Sequence, residues 1–289
     1  MKAGFVTILG LPNAGKSTLL NTLLGEKLAI ISPKVQTTRH RIKGILTEKD
    51  YQLIISDTPG VIESTEYKLH DKMMKQVKGA LEDADVALFL VDAKGDTKRA
   101  HEMFDAVKIK SPTILVLNKV DKLNPQQIAN VTGYFKDKPY VTDIVLISAL
   151  DKTGIDLLLQ KILEHVPTGQ AFYDDDAISD LPTKFFVQEL IREKLYSLYD
   201  EEIPYQSTVL VTEFKEKNTL TKIAANIIVQ RESQKGIILG EGGRMIKRLG
   251  TEARMDIEKF LDRKIFLELF VKARDKWRDN DLYLKEYGY

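Results

Sequence analysis

Along the first 166 positions, apolar residues arrive in short unbroken runs: Phe5-Val6-Thr7-Ile8-Leu9, Leu53-Ile54-Ile55-Ser56, Val86-Ala87-Leu88-Phe89-Leu90-Val91 and Ile114-Leu115-Val116-Leu117. Runs of this length predict strands buried on both faces. Stretches with helical spacing lie between them. The pattern predicts strands at 5–9, 42–46, 51–56, 86–91, 113–117 and 144–147. Helices are expected at 17–24, 67–82, 99–110 and 156–165, with another whose first turn holds Pro125. Glu48-Lys49-Asp50 reads as a short hairpin connection. Buried strands separated by helices imply a mainly parallel sheet covered on both sides, ending near Val166. Ligands of such sheets bind at the carboxyl ends of the strands.

From Pro167 the pattern changes. Thr168-Gly169-Gln170 and Asp174-Asp175-Asp176 read as a polar linker, and Leu181-Pro182 as the start of a new helix. Positions 186–198 are amphipathic. Residues 206–214 alternate as a strand, a turn follows around Lys217-Asn218, and 220–231 form a second strand. A short helix, a glycine turn at 240–243, a helix at 244–261 and a strand at 265–272 complete the series. The expected division is 1–167, a linker at 168–181, and 182–289.

Composition narrows the setting without changing this outline. A chain of 289 residues suits two domains. It has no cysteine, which excludes disulfides and thiolate metal sites and fits a reducing compartment. Met1-Lys2 leads straight into a strand and the longest apolar run is too short to span a bilayer, so a cytoplasmic protein is expected. The net charge of +1 hides a contrast. Positions 231–278 hold thirteen Lys and Arg against eight Asp and Glu, whereas 174–202 hold three against nine. A local basic excess fits nucleic acid, although on charge alone a solvated helix face is the better reading.

The candidate chemistry falls at the strand ends. Gly10-Leu11-Pro12-Asn13-Ala14-Gly15-Lys16-Ser17 lies between a strand and a helix, the setting a phosphate-binding loop requires. Gly10 and Gly15 let backbone N–H groups point inward at a helix N-terminus. Lys16 would reach the outer phosphates and Ser17 would ligate Mg²⁺. Asp57-Thr58-Pro59-Gly60 follows the strand at 51–56. Alone it is ordinary turn chemistry; after a phosphate loop, Asp57 can hold Mg²⁺ through water and the Gly60 N–H can meet a γ-phosphate. In Asn118-Lys119-Val120-Asp121, the Asp121 carboxylate can accept from N1–H and the exocyclic amine of guanine. Adenine lacks that pair, so a buried carboxylate would be left unpaired at a cost of about 1–3 kcal/mol. Asn118 would tie this loop to the phosphate loop. In Ser148-Ala149-Leu150 a backbone N–H could meet the guanine carbonyl.

Together these four stretches resemble the translation-factor-related GTPases. The resemblance implies binding of GTP and GDP with Mg²⁺, contacts from Thr18 beside the phosphate loop, and a first switch at about 27–41. Thr37 or Thr38 would complete the Mg²⁺ shell when GTP is bound, and Thr38 is favoured. Ras-like enzymes carry a glutamine directly after Asp-x-x-Gly to orient water. Val61 stands there and cannot do so. In related members an asparagine in the phosphate loop helps hold K⁺, and Asn13 occupies that place. Slow intrinsic turnover is expected, with Lys16, Thr38, Gly60 and Asn13 as the catalytic set.

In the second half, Lys235-Gly236-Ile237-Ile238-Leu239-Gly240-Glu241-Gly242-Gly243-Arg244-Met245-Ile246-Lys247 places a G-x-x-G turn between two helices. The missing side chains admit a nucleic-acid backbone, as in a KH module that clamps about four nucleotides. Ile238 and Ile246 could support base contacts, with Lys235, Arg244, Lys247, Arg248 and Arg254 available for phosphates. The order helix, strand, strand, helix, G-x-x-G, helix, strand resembles the type II KH arrangement. A P-loop GTPase domain joined to this smaller α+β domain resembles the Era family over essentially the whole chain. Gln36-Thr37-Thr38-Arg39-His40-Arg41 also looks like that family. Membership implies GTP-dependent binding near the 3′ end of small-subunit ribosomal RNA during assembly of the small ribosomal subunit, and sometimes peripheral membrane contact; a monomer is expected. The variable turn positions often carry Lys, whereas Glu241 stands here and would repel phosphate.

Two other readings compete. One is a signalling GTPase acting at the membrane in cell-cycle control, with the second domain binding protein. The other, an RNA-modifying enzyme, finds no support: there is no cysteine nucleophile, no second nucleotide fingerprint and no histidine cluster.

Overall fold

The computed structural model describes every residue except Glu63, Ser64, Lys108 and Lys217. It divides into two compact units, one of Met1–Thr65 and His70–Asp180, the other of Glu66–Leu69 and Leu181–Tyr289.

In the first unit β1 (Lys2–Leu9) is flanked by β3 (Tyr51–Asp57) and β4 (Val86–Asp92). Outward from these lie β2 (Ile42–Glu48) on one side and β5 (Thr113–Asn118), then β6 (Asp143–Ile147), on the other. Among the paired strands described, only β2–β3 is antiparallel. The unbroken apolar runs become strands buried along their length, β5 without exception. Phe89 of β4 shows how the covering is made: its ring meets Phe104 at 4.8 Å and Phe135 at 6.4 Å, from α3 (Thr97–Val107) and α4 (Pro125–Lys136). α4 begins with Pro125 at its first position, and Asn124 caps it reciprocally with Gln127. The remaining helices are α1 (Lys16–Leu24), α2 (Lys68–Glu82) and α5 (Ile155–His165). The helix expected at 99–110 includes Lys108, which lies outside the described residues.

The stretch read as a polar linker is fastened to this unit as far as Asp180. Gln52, wholly buried on β3, accepts the N–H groups of Phe172 (2.6 Å) and Tyr173 (3.0 Å) and donates to the Tyr173 carbonyl (2.9 Å). A buried amide needs partners, and on β3 this passing backbone supplies them. Phe172 packs on Phe5 at 4.9 Å, Ile45 N–H donates to Ile178 at 3.0 Å, and Lys43 pairs with Asp180 at 2.8 Å. The carboxylates of Asp174, Asp175 and Asp176 stay exposed.

The second unit has a three-stranded sheet in the order β7 (Ser207–Glu216), β8 (Thr221–Val229), β9 (Ile265–Ala273). β7 and β8 form an antiparallel hairpin; β9 lies parallel to β8. The short α7 (Ile203–Gln206) leads into β7. Parallel pairing demands a crossover, supplied by α8 (Glu232–Leu239) and α9 (Arg244–Leu261). Val187, Ile191 and Leu195 of α6 (Thr183–Leu198) share a core with Ile223, Ala225 and Ile227 of β8 and Leu249, Ala253 and Ile257 of α9. α6 is less simply amphipathic than its spacing implied, because Glu189 and Arg192 are also buried, paired at 2.5 Å. The turn expected around Lys217-Asn218 falls partly outside the described residues, at Lys217. Beyond position 272 the sequence reading assigned nothing. There Trp277 is wholly buried, donates to the Gln206 carbonyl at 3.0 Å, and stacks on Tyr289.

One charge cluster closes the end of the first unit. Asp143 on β6 accepts from His165 Nε2 at 2.9 Å and pairs with Lys161 at 3.3 Å. The His165 hydrogen bond, aided by Lys161, holds the Asp143 carboxyl below its ordinary range. A lowered carboxyl adds stability that is present above its unfolded value and lost as pH falls through the folded one. Asp143→Asn should therefore lower stability at neutral pH by about 0.5–1 kcal/mol. Thermal melts of the two proteins should converge in acid, below the ordinary carboxylate range.

Candidate functional site

The carboxyl ends of β1, β3, β5 and β6 open onto one cleft of about 570 Å³. Three of its loops meet at a single side chain. Asn118, at the end of β5 and buried, donates to the Ala14 carbonyl at 2.8 Å and accepts the Ala149 N–H at 3.0 Å. Gly15 makes that approach possible. Its φ is +100°, and a Cβ there would lie 2.4 Å from the Asn118 amide nitrogen.

At the phosphate-loop end, Lys16 is buried and donates to the carbonyls of Gly10 (3.2 Å) and Leu11 (3.1 Å). Burial pulls its ammonium down to about 8, against the attraction of Asp57. Asp57, with no exposed surface, is pushed up by burial despite Lys16 and two hydroxyl donors. Those donors are Ser17 at 2.6 Å and Thr38 at 3.2 Å, themselves 2.9 Å apart. The other oxygen of Asp57 is buried with no hydrogen-bond partner among the described residues. An orphaned carboxylate oxygen beside two hydroxyls is a donor set that fits a hard dication. Thr37 is differently engaged, its hydroxyl donating to the Lys34 carbonyl at 2.6 Å.

Other expected residues take varied places around the cleft. Thr58 is buried and fastens the end of β3 to β1 through the Ile8 carbonyl at 2.8 Å. Pro59 is buried, Gly60 lies against Pro12, and Val61 packs its apolar side chain towards the core that contains Phe89 and Phe104. Asn13, in a left-handed conformation, donates to the Pro33 carbonyl at 2.8 Å. Lys119 donates to the Asn13 carbonyl at 2.7 Å. Lys16, Ser17 and Thr18 open α1 and line the cleft. Ser148 is buried, Leu150 is 76% exposed, and Asp121 is exposed at the rim. Asp121 belongs to a short helical turn at Val120–Lys122.

In the second unit Gly240, Gly242 and Gly243 all have positive φ (+69°, +60°, +75°) and join α8 to α9 in a sharp turn. Glu241, Arg244, Lys247, Arg248 and Arg254 are exposed around or beyond it. Lys235 lies on α8. The expected apolar contacts need correction. Ile238 has no exposed surface and belongs to the core, and Ile246 is partly buried against that core. α8 has only two turns, so its inward face is spent on packing. Ile237 (51%) and Leu239 (37%) are the exposed apolar residues.

Comparison with known proteins supplies the family. The model described as 50S ribosome-binding GTPase matches residues 5–119, and a KH domain model matches 202–278. GTPase Era of Alkaliphilus metalliredigens is 41% identical over 295 residues, spanning all of this chain and 99% of its own. The chain belongs to the Era family of GTPases. A crystal structure of a variant of Aquifex aeolicus Era bound to GDP·AlF4⁻ has a TM-score of 0.96 at 40% identity, covering 100% of this chain and 99% of that one. A second structure, of Era in complex with MgGDPNP and nucleotides 1506-1542 of 16S ribosomal RNA, matches with the same score, identity and coverage.

Three residues of this Era-family cleft escaped the sequence reading. Asp92, at the end of β4, holds Lys119 at 2.6 Å. Asn21 accepts from Leu28 (3.0 Å) and Ala29 (2.9 Å), pinning the root of the 27–41 segment to α1. Thr22 donates to the Ala149 carbonyl at 2.8 Å. Asp92 carried a usable signal, a lone acid closing a buried apolar strand at the ligand-facing edge. Asn21 and Thr22 look like ordinary helix residues, and nothing in their spacing marks them. Asn118→Ala strands the Ala14 carbonyl and the Ala149 N–H in a dry interior. It should cost about 2–4 kcal/mol in denaturant unfolding, more than an exposed Asn→Ala change such as Asn130→Ala.

Proposed function

We propose that this chain binds GTP in the cleft, hydrolyses it to GDP and phosphate, and uses that cycle to govern binding to the 3′ region of small-subunit ribosomal RNA during assembly of the small subunit. The observation that carries the first part is the convergence of Lys16, the Ser17–Thr38–Asp57 cluster and the Asn118-Lys119-Val120-Asp121 loop on one cleft. Kinship with Era, one relative of which is described in complex with 16S ribosomal RNA nucleotides, supports the second.

In this reading the inward N–H groups of the 10–17 loop and the Lys16 ammonium hold the β- and γ-phosphates. Mg²⁺, held by Ser17 and Thr38 with Asp57 behind them, would supply charge neutralisation on the phosphate oxygens. Asp121 accepts the two guanine donors, and the base itself covers the exposed carboxylate. Water attacks the γ-phosphorus in line as the bond to the β-phosphate oxygen breaks, and the leaving GDP takes the released charge. Val61 has no polar atom with which to orient that water, so the intrinsic rate is slow. Asn13 supports a role for K⁺ in offsetting transition-state charge. Its side-chain amide nitrogen is committed to Pro33, so the side-chain oxygen is the atom that would meet the cation. Thr38 couples the 27–41 segment to the nucleotide, and loss of the γ-phosphate would release that segment.

No observation favours the membrane-signalling alternative or peripheral attachment. Among the described residues, no helix is long and apolar enough to cross a membrane.

Two measurements test the reading. Gly242→Asp adds charge where a nucleic-acid backbone would approach, and should weaken binding to the 3′ small-subunit rRNA sequence with GTP turnover unchanged. Unchanged RNA binding would count against the RNA role. GTP hydrolysis should run several-fold faster in K⁺ than in Na⁺ at matched ionic strength, and Asn13→Ala should abolish the difference. Equal rates for the wild-type protein would remove the K⁺ role.

A further inference from the structure

Of the four cations nearest the glycine turn in sequence, three already face a carboxylate of their own chain. Arg244 pairs with Glu241 inside the turn itself and also donates to the Glu241 carbonyl at 3.3 Å. Arg248 Nε lies 2.9 Å from Glu252, and Lys235 Nζ lies 3.8 Å from Glu232. Among the described residues Lys247 has no acidic partner. Glu241 holds a particular position here. It is the only side chain between Gly240 and Gly243, and its carboxylate is exposed at the turn.

The Glu241–Arg244 pair is open to water, its side chains 88% and 75% exposed, so it adds little to stability and is readily displaced. Its effect on a polyanion is larger than its effect on the fold. A guanidinium compensated by its neighbour brings no net charge to an approaching phosphate, and releases no counterion when that phosphate arrives. Each uncompensated cation would add about 0.7 to the steepness of log K against log salt for a single strand.

We propose that Glu241 is a selectivity element that cancels Arg244 at the turn. The groove then has little attraction for phosphate backbone as such, and holds unpaired RNA through its bases and the backbone N–H groups of the turn. This rests on the RNA-binding reading above. Its consequence is discrimination against duplexes and bulk polyanions, which offer charge without accessible base edges.

The test uses the full chain and two labelled single strands of equal length, the 3′ small-subunit rRNA sequence and oligo(U), titrated by fluorescence anisotropy from 50 to 200 mM KCl. Glu241→Gln should steepen the salt dependence by about 0.7, making its gain in affinity about 2.5-fold larger at the low-salt end than at the high-salt end. Oligo(U) should gain proportionally more than the rRNA sequence. In an Arg244→Gln background the same change should leave the slope unaltered; a gain that persists there would overturn the route through Arg244. Parallel salt plots for the wild-type protein and Glu241→Gln would overturn the proposal while leaving RNA binding intact. Failure of both proteins to bind either strand would instead sink the RNA reading, and this inference with it. Circular dichroism and GTP turnover should match throughout.

Discussion

Asn118 is the constraint on which the cleft depends. Three loops from distant parts of the chain leave β1, β5 and β6. One buried amide joins them, donating to Ala14 and accepting from Ala149. An amide suits this place because it offers a donor and an acceptor a fixed distance apart. A carboxylate would meet the Ala14 carbonyl with like polarity, and an apolar residue would leave both loop groups dry and unpaired. Gly15 has to be bare for the amide to reach, so two positions more than a hundred residues apart constrain one another's chemistry.

A second layer is electrostatic. Lys16 and Asp57 are buried together, and burial works against the charge of each. Opposite charge and the hydroxyls of Ser17 and Thr38 offset part of that cost. Sites of this kind are held ready for highly charged ligands, because the groups that will meet the ligand are already desolvated. Thr38 belongs to a segment without regular secondary structure, so the polar cluster also gives that segment a reason to take one conformation. The glycine turn of the second unit is built on the opposite plan. Its charges are exposed, mostly paired with near neighbours in sequence, and free to exchange with water.

Much of this was legible in the sequence, for identifiable reasons. The strands of the first unit were visible because a mainly parallel sheet buries both faces and writes itself as unbroken apolar runs. The phosphate loop and the loop at Asn118 were visible because their chemistry is concentrated in consecutive residues. What could not be read depends on contacts between distant positions. Asp92 and Lys119 are 27 residues apart. The inward turn of Ile238 depends on which face of a two-turn helix meets the sheet, which spacing alone leaves open. The exposure of Asp121 depends on a three-residue helical turn too short to show a period.

The strap from Thr168 to Asp180 bears on how this sheet survives in a crowded solution. β2 ends the six-stranded sheet, so its outer backbone groups are a template on which another chain could add a strand. The bond from Ile45 to Ile178 occupies part of that template, and Phe172 shields Phe5. A protein cut at the point where the apolar pattern stops, near Val166, would retain every strand and every loop of the cleft. It would also bare the rim of the sheet and leave the Gln52 amide searching for partners, an invitation to self-association that the intact chain withdraws with thirteen residues.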